Sequence, residues 1–184
     1  MFRRLITMCA ALSVLAAAGI AAKEKTVMVG GAAMYRSKDI IDNAMNSKDH
    51  TTLVAAVKAA GLVSTLKGPG PFTVFAPTNA AFDKLPKGTV EMLLEPAHLD
   101  QLKGVLTYHV VPGRLDSKML MEWAHKGKGT TELKTVSGDT LWVAMKDGKL
   151  WLKDGKGMTA SITIPDVYQS NGVIHVIDTV VMAK

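Results

Sequence analysis

Between Thr73 and Phe82 the chain reads TVFAPTNAAF, a strand-like run that leads directly into the start of a helix. The preceding Phe72 and the β-branched and aromatic residues after it favour an extended strand. Pro77 cannot donate a ladder hydrogen bond, so we expect the strand to end there. Thr78 is a residue type that caps helix N-termini, which predicts a helix from Asn79.

Helices are predicted on both sides of this stretch. Ser37 is a candidate cap for a helix through Met45, and Thr51 or Thr52 is one for a second helix that Gly61 ends. Residues 89–108 read as mostly helical, with Pro96 as the first residue of a new helix.

The hydrophobic period changes to two from Leu133 onward, which indicates strands. Asp147-Gly148 lies between apolar runs and predicts a tight hairpin with Lys146 opposite Lys149. In that register Trp142 and Trp151 are diagonal neighbours on one face of the sheet. The two rings are either ordinary hairpin packing or an exposed aromatic platform for a sugar or protein ligand.

Helices followed by strands predict an α+β fold. The chain has 184 residues, a length that suits one domain, and its composition is that of a globular protein. A single cysteine rules out an intramolecular disulfide framework and a cysteine zinc cluster. The net charge of +6 comes without dense Lys/Arg blocks, so we expect no nucleic-acid partner.

The N-terminus predicts a secretory signal peptide over residues 1–22. Arg3 and Arg4 precede an uncharged run from Leu5 to Ile20, and small residues follow at the expected cleavage site. An uncleaved anchor helix is the alternative, although the run is short for one. We therefore expect a secreted or periplasmic protein without a transmembrane span after cleavage, with an arm over 23–36 and a domain over 37–184.

Three segments together resemble the fasciclin (FAS1) domain family. They are TVFAPTNAAF from Thr73, LTYHVVPG from Leu106 and SNGVIHVID from Ser170, and they occur in the family's order and spacing. The resemblance implies a wedge of two β-sheets with several helices packed on it. It also implies a non-catalytic adhesion module without a cofactor, whose partner is a cell-surface or matrix protein or a polysaccharide; we expect a monomer.

The resemblance suggests two contact sites. Tyr108-His109 matches a motif that animal members use to bind integrins, and Pro165-Asp166-Val167 stands where they carry a second contact pair. For Tyr108 and His109 the structural alternative is a buried pair whose hydrogen bonds fix a corner. For Asp166 the alternative is a carboxylate that accepts bonds from backbone amides in a turn.

The remaining family positions are predicted to be structural. Asn171-Gly172 reads as a turn, since both residue types tolerate a positive φ, and His175 reads as a hydrogen-bonded core group rather than a metal ligand. The full set of predicted structural positions is Thr73, Phe75, Ala76, Pro77, Thr78, Asn79, Phe82, Asn171, Gly172, His175 and Asp178.

Two other functions stay open. Met119, Met121 and His125 form a soft-ligand set that would suit a periplasmic Cu(I) carrier, and a carrier of another small ligand is a further alternative. An unrecognised secreted hydrolase is the other alternative. No G-x-S-x-G, H-E-x-x-H or phosphate-binding glycine motif supports it.

Overall fold

The structure, a computed structural model, describes residues 24–184, so the predicted signal peptide lies outside the described residues. The helices are α1 Ile40–Ala44, α2 Thr51–Ala59, α3 Val63–Leu66, α4 Asn79–Asp83, α5 Thr89–Leu94, α6 Leu99–Tyr108 and α7 Ser117–Lys126. The strands are β1 Val27–Val29, β2 Ala32–Met34, β3 Phe72–Pro77, β4 Val110–Pro112, β5 Thr130–Lys134, β6 Thr140–Lys146, β7 Lys149–Lys153, β8 Thr159–Gln169 and β9 Gly172–Ile177. Short 3-10 turns cover Lys48–His50 and Pro96–His98.

The main sheet has seven strands in the order β4-β3-β9-β8-β7-β6-β5. Only β3 and β9 run parallel within it; the other neighbours are antiparallel. Strand β8 pairs with β7 through its first residues and with β9 through the rest, and its register shifts twice between Ile162 and Val167. The sheet therefore has two halves that share β8. Seven helices within residues 24–184, together with a mainly antiparallel sheet, confirm the predicted α+β class.

Strand β3 separates two hydrophobic cores because its alternate side chains point to opposite faces. Val74 and Ala76 belong to a core formed mainly with the helices. Phe75 belongs to a second core, together with Tyr108, Leu120 and buried residues of β5–β7. Strand β9 divides in the same way, so both strands are covered on both faces.

The predicted arm contains a small hairpin of β1 and β2. Its turn is Gly30-Gly31, where both residues have a positive φ. A Cβ on Gly30 would lie 2.7 Å from the Asp49 backbone nitrogen, so glycine is required there. Val29 and Met34 are buried in the helical core, which means that the hairpin packs on the domain.

Two predicted helix caps are wrong. Asp39, not Ser37, caps α1 and accepts a 2.8 Å hydrogen bond from the Asp42 amide. Neither threonine caps α2; its first turn is satisfied by the Asn79 side chain, whose Oδ1 accepts from the Thr52 amide at 3.0 Å. The predicted cap at Thr78 is confirmed.

The predicted register of the β6–β7 hairpin is also confirmed. Lys146 pairs with Lys149, Trp142 with Lys153 and Ala144 with Trp151. The alternate residues Leu141, Val143, Leu150 and Leu152 are buried in the second core. Both tryptophans therefore lie on the opposite, outward face.

Candidate interaction surface

Tyr108 lies in the core and does not contribute to the protein surface. Its side chain is 0% exposed and belongs to the second hydrophobic core. The hydroxyl donates to the Thr140 carbonyl at 2.8 Å and accepts from the Gly155 amide at 3.2 Å. Burial raises the pKa of this phenol. Tyr108 thus ties the end of α6 to β6 and to the loop after β7.

His109 is buried beside it and is 2% exposed. The Val181 amide donates to Nε2 at 3.2 Å, so Nε2 is the acceptor and the proton is assigned to Nδ1, which donates to the Val105 carbonyl at 2.8 Å. Burial lowers the pKa of His109 to about 4, so the ring is neutral at physiological pH.

The contact interpretation of Tyr108-His109 does not fit this geometry. A partner reaches only exposed groups, and here both side chains have their polar atoms bonded inside the fold. The geometry fits the structural alternative, in which the hydrogen bonds of the buried pair fix the corner between α6 and β4.

The Asp166 carboxylate binds the start of α7. Asp166 has a φ of 60°, a left-handed conformation that aspartate tolerates better than most residues, and it sits where the register of β8 shifts. Its carboxylate accepts from the Ser117 amide at 2.7 Å and from the Ser117 hydroxyl. The carboxylate therefore closes the first turn of α7, where negative charge is favourable, and takes no part in the Asn171 turn.

A buried histidine holds the backbone of Asp166 in this position. The Asp166 amide donates to Nδ1 of His175 at 3.3 Å, and Nε2 of His175 donates to the Leu115 carbonyl at 2.8 Å. The ring stacks on Phe75, with centroids 5.6 Å apart. Burial lowers the pKa of His175, which keeps the ring neutral. The predicted structural role of His175 agrees with these contacts.

The neighbours of Asp166 differ in exposure. Pro165 is exposed, whereas Val167 is 1% exposed and belongs to the helical core. Pro165 lines an open groove of about 440 Å³ between the start of α7 and the bend of β8. We call this the β8 groove; its lining residues are Ser117, Met121, Gly148, Lys149, Leu150, Ser161, Ile162, Thr163 and Pro165.

The positions predicted to be structural bind other segments of the fold. Thr73 donates to the Gly113 carbonyl and accepts from the Leu115 amide, and Asp178 accepts from the Ser161 amide at 2.8 Å. Phe75, Ala76, Pro77 and Phe82 are buried.

The turn before β9 is formed by Ser170 and Asn171, and its chemistry differs from the prediction. Neither Asn171 nor Gly172 has a positive φ. Asn171 instead accepts from the Ile40 amide and donates to the Leu66 and Gly68 carbonyls, joining three segments. Gly172 is required because a Cβ would collide with the Phe72 carbonyl oxygen.

The candidate Cu(I) ligands do not converge. Met119 and Met121 are two positions apart on α7, so they point about 200° apart around the helix axis. Both pack partly against the second core, while His125 is exposed. Within residues 24–184 no group of three or more His, Cys, Asp or Glu side chains is placed to hold a metal ion.

Ser117 is the site residue that sequence reasoning missed. The signal was present, because Asp116 caps α7 by accepting from the Met119 amide at 2.8 Å. A helix beginning at Ser117 was therefore predictable. Its bonds to Asp166 join residues 49 positions apart, and no local pattern predicts them.

Comparisons with known proteins agree with this fold. A family model described as the fasciclin domain matches residues 48–183. Protein sll1483 of Synechocystis is 45% identical over 159 residues, which cover 86% of this chain and 81% of that protein. Within residues 24–184, no helix is long and apolar enough to cross a membrane.

Longer relatives contain a region similar to this chain. The cell surface glycolipoprotein MPT83 of Mycobacterium tuberculosis is 34% identical over 158 residues, or 83% of this chain and 64% of that protein. The transforming growth factor-beta-induced protein ig-h3 of Sus scrofa is 35% identical over 142 residues, or 77% of this chain but only 19% of that protein.

A solved structure shows the same fold. The FAS1 domain pair from the insect cell adhesion molecule fasciclin I superposes with a TM-score of 0.71 at 17% identity, over 87% of this chain and 58% of that one. Sequence and structure together thus show that this chain belongs to the fasciclin (FAS1) domain family.

Proposed function

We propose that this chain is a non-catalytic interaction module that works outside the cytoplasm, where it binds a surface protein or glycan. The names of two related proteins support this role, since one is a cell surface glycolipoprotein and the other a cell adhesion molecule. The predicted signal peptide over residues 1–22 supports the compartment. Similarity of fold alone does not fix a function, so the proposal also needs a surface on this chain.

The β8 groove is the surface we assign to this binding. The main support is that Pro165 is exposed at the groove while the next residue, Asp166, forms hydrogen bonds with both Ser117 and His175. A residue presented by a fixed backbone binds without a large cost of ordering. By contrast, Tyr108 and His109 are buried and offer a partner no area.

The groove has the mixed chemistry of a docking site. Met121, Ile162 and Pro165 supply apolar area, and Ser117, Thr163 and Lys149 supply polar groups around it. Burial of the apolar area would drive binding, and the polar groups would set the orientation of the partner.

One matched pair of variants tests the groove. Thr163→Arg places a long charged side chain in it, while Thr65→Arg adds the same charge at an exposed position of α3. Binding of the fluorescently labelled chain without its signal peptide is measured on whole producing cells and on a panel of surface proteins and glycans. We expect Thr163→Arg to weaken binding about tenfold or more, and Thr65→Arg to bind like the parent chain.

Equal binding by the two variants would remove the groove as the contact site, and no binding by the parent chain would remove the adhesion role itself. Native mass spectrometry of the purified chain tests the carrier alternative, and we expect the mass of the bare protein. Turnover of generic ester or glycoside substrates would contradict the non-catalytic role.

A further inference from the structure

The outward face of β5–β7 carries large apolar side chains that lie outside both hydrophobic cores. Trp142 and Trp151 are half-buried on this face, and neither belongs to one of the two hydrophobic cores. Trp151 pairs directly with two small residues, Ala144 on one side and Ser161 on the other, and Trp142 is its diagonal neighbour. Two partly exposed indole rings on a solvent-facing sheet indicate a recognition surface.

One of the rings is held in a fixed orientation. The indole nitrogen of Trp142 donates to the Glu132 carboxylate at 3.1 Å, across a direct strand pair. Trp142 also lines an open cleft of about 520 Å³, which we call the tryptophan cleft. Its lining residues are Thr130, Trp142, Ala144, Lys153, Asp154, Gly155, Lys156, Gly157 and Lys184, and none of them lines the β8 groove.

Three lysines and one aspartate line this cleft. Lys153 faces Trp142 across the strand pair, and Lys156 follows it in the next loop. Neither lysine forms an ion pair within residues 24–184. The Asp154 carboxylate is turned inward: it is 2% exposed and accepts from the amides of residues 156, 158 and 182.

The charge and the rings also alternate along one strand. Lys149, Trp151 and Lys153 point outward from β7, about 7 Å apart. Lys146 and Lys149 face each other directly at the end of the hairpin, an arrangement of like charges that destabilises a sheet. An extended polymer along β7 would meet a cation, an aromatic ring and a second cation in turn.

We propose that the tryptophan cleft and the adjoining part of β7 bind an acidic polysaccharide. The apolar face of a sugar ring stacks on the fixed indole, and the carboxylate or sulfate groups of the polymer pair with the lysine ammonium groups. The tryptophan cleft shares no lining residue with the β8 groove, which this surface reaches only at Lys149. The inference therefore goes beyond the proposed docking role and does not depend on it.

The same combination of rings and cations occurs in single-stranded nucleic-acid sites, but one feature favours a sugar. The Glu132 carboxylate beside Trp142 can accept hydrogen bonds from the hydroxyl groups that every sugar ring carries and that a DNA backbone lacks.

Isothermal titration of the chain without its signal peptide tests the inference. The probes are polygalacturonate, dextran sulfate, neutral dextran and a thymidine oligonucleotide. We expect both acidic polysaccharides to bind, with affinity that falls as salt rises. Absence of binding to both at low salt, equal binding to neutral dextran, or tighter binding to the oligonucleotide would each overturn the proposal.

Matched variants locate the site. Lys153→Gln/Lys156→Gln should weaken binding about fivefold or more. The control Lys58→Gln/Lys87→Gln removes the same charge at exposed lysines elsewhere and should change binding less than about twofold. Trp142→Ala should cost about tenfold, while Trp123→Ala removes an exposed ring outside the cleft and should cost nothing.

A thermal melt is recorded for every variant. If Trp142→Ala unfolds, the comparison of Lys153→Gln/Lys156→Gln with its control pair tests the site alone. Equal losses for the two lysine pairs would show a general charge effect and overturn the site. A loss in the cleft variants with an unchanged Thr163→Arg separates this surface from the groove. If only Thr163→Arg lost polysaccharide binding, the binding site would lie in the β8 groove, and the inference would be overturned.

Discussion

The two halves of the main sheet bury their side chains differently. In β9 every residue is buried, and in β3 all but Phe72 are, because a hydrophobic core covers each face. In β6 and β7 burial alternates, because the second core covers one face only. The same backbone arrangement therefore leaves β3 and β9 without an exposed face and gives β6 and β7 an open one.

The family motifs fall mainly in or beside the covered half. Thr73, Phe75 and His175 lie in β3 and β9, and Asn171 joins β9 to the helices. These residues fix packing and hydrogen bonds. The outward tryptophans belong to none of the motifs, so the motifs describe mainly architecture, and the open face of β6 and β7 lies outside them.

The sharpest test of this comparison removes one aromatic ring from each half. Phe75→Ala should lower the free energy of unfolding by about 3–5 kcal/mol, because it empties a fully buried site and removes the ring stacked on His175. Trp151→Ala should cost about 1 kcal/mol or less. Urea denaturation of both variants measures the difference, and similar losses would contradict the two-halves description.

The buried histidines make stability depend on pH. The neutral His109 ring has its pKa lowered to about 4 in the fold, so on acidification the unfolded chain takes up a proton first. The neutral His109 ring contributes fully to the free energy of unfolding above about pH 6.5. That contribution falls by at most about 3 kcal/mol as the pH drops toward 4. His50 and His175, whose pKa values burial also lowers, act in the same direction.

His109→Gln should reduce the loss of stability on acidification. The measurement is the free energy of unfolding between pH 7 and pH 4. His125→Gln removes an exposed histidine and should leave the slope as it is in the parent chain. A slope that both variants leave unchanged would mean that the protonation of His109 does not drive the loss of stability.

Asp166→Ala should have an intermediate effect, about 1–2 kcal/mol, because it removes the acceptor for both Ser117 donors and strains a left-handed position. Asp166→Asn keeps the turn conformation and should cost less. Hydrogen exchange should locate the loss at the first turn of α7. A uniform loss over the whole chain would speak against a local cap.

The smallest expected change is a gain. Lys149→Glu turns the repulsive pair with Lys146 into an attractive one and should stabilise the hairpin by about 0.5 kcal/mol. The thermal midpoint at low salt measures it, and added salt should shrink the difference. No gain at low salt would mean that the two ammonium groups are already well separated in water.

Local features were the predictable part of the fold. The β6–β7 register followed from the Asp147-Gly148 turn, and the Thr78 cap followed from its position after Pro77. The predicted cap of α2 was wrong because a distant residue, Asn79, satisfied the start of that helix. The predicted cap of α1 was wrong by two residues within the same stretch, where Asp39 took the place expected for Ser37. The burial of Tyr108 and His109 could not be read from their residue types, since both types occur in cores and in contact sites.

The sequence by itself determined the α+β class, the hairpin, most helix positions and the family, because these depend on residues close together in the chain or on ordered motifs. Only the tertiary structure decided which motif residues are buried, where Asp166 bonds and which side of the hairpin is open. Exposure is set by what packs against a residue, and at these positions the packing partners come from remote parts of the chain.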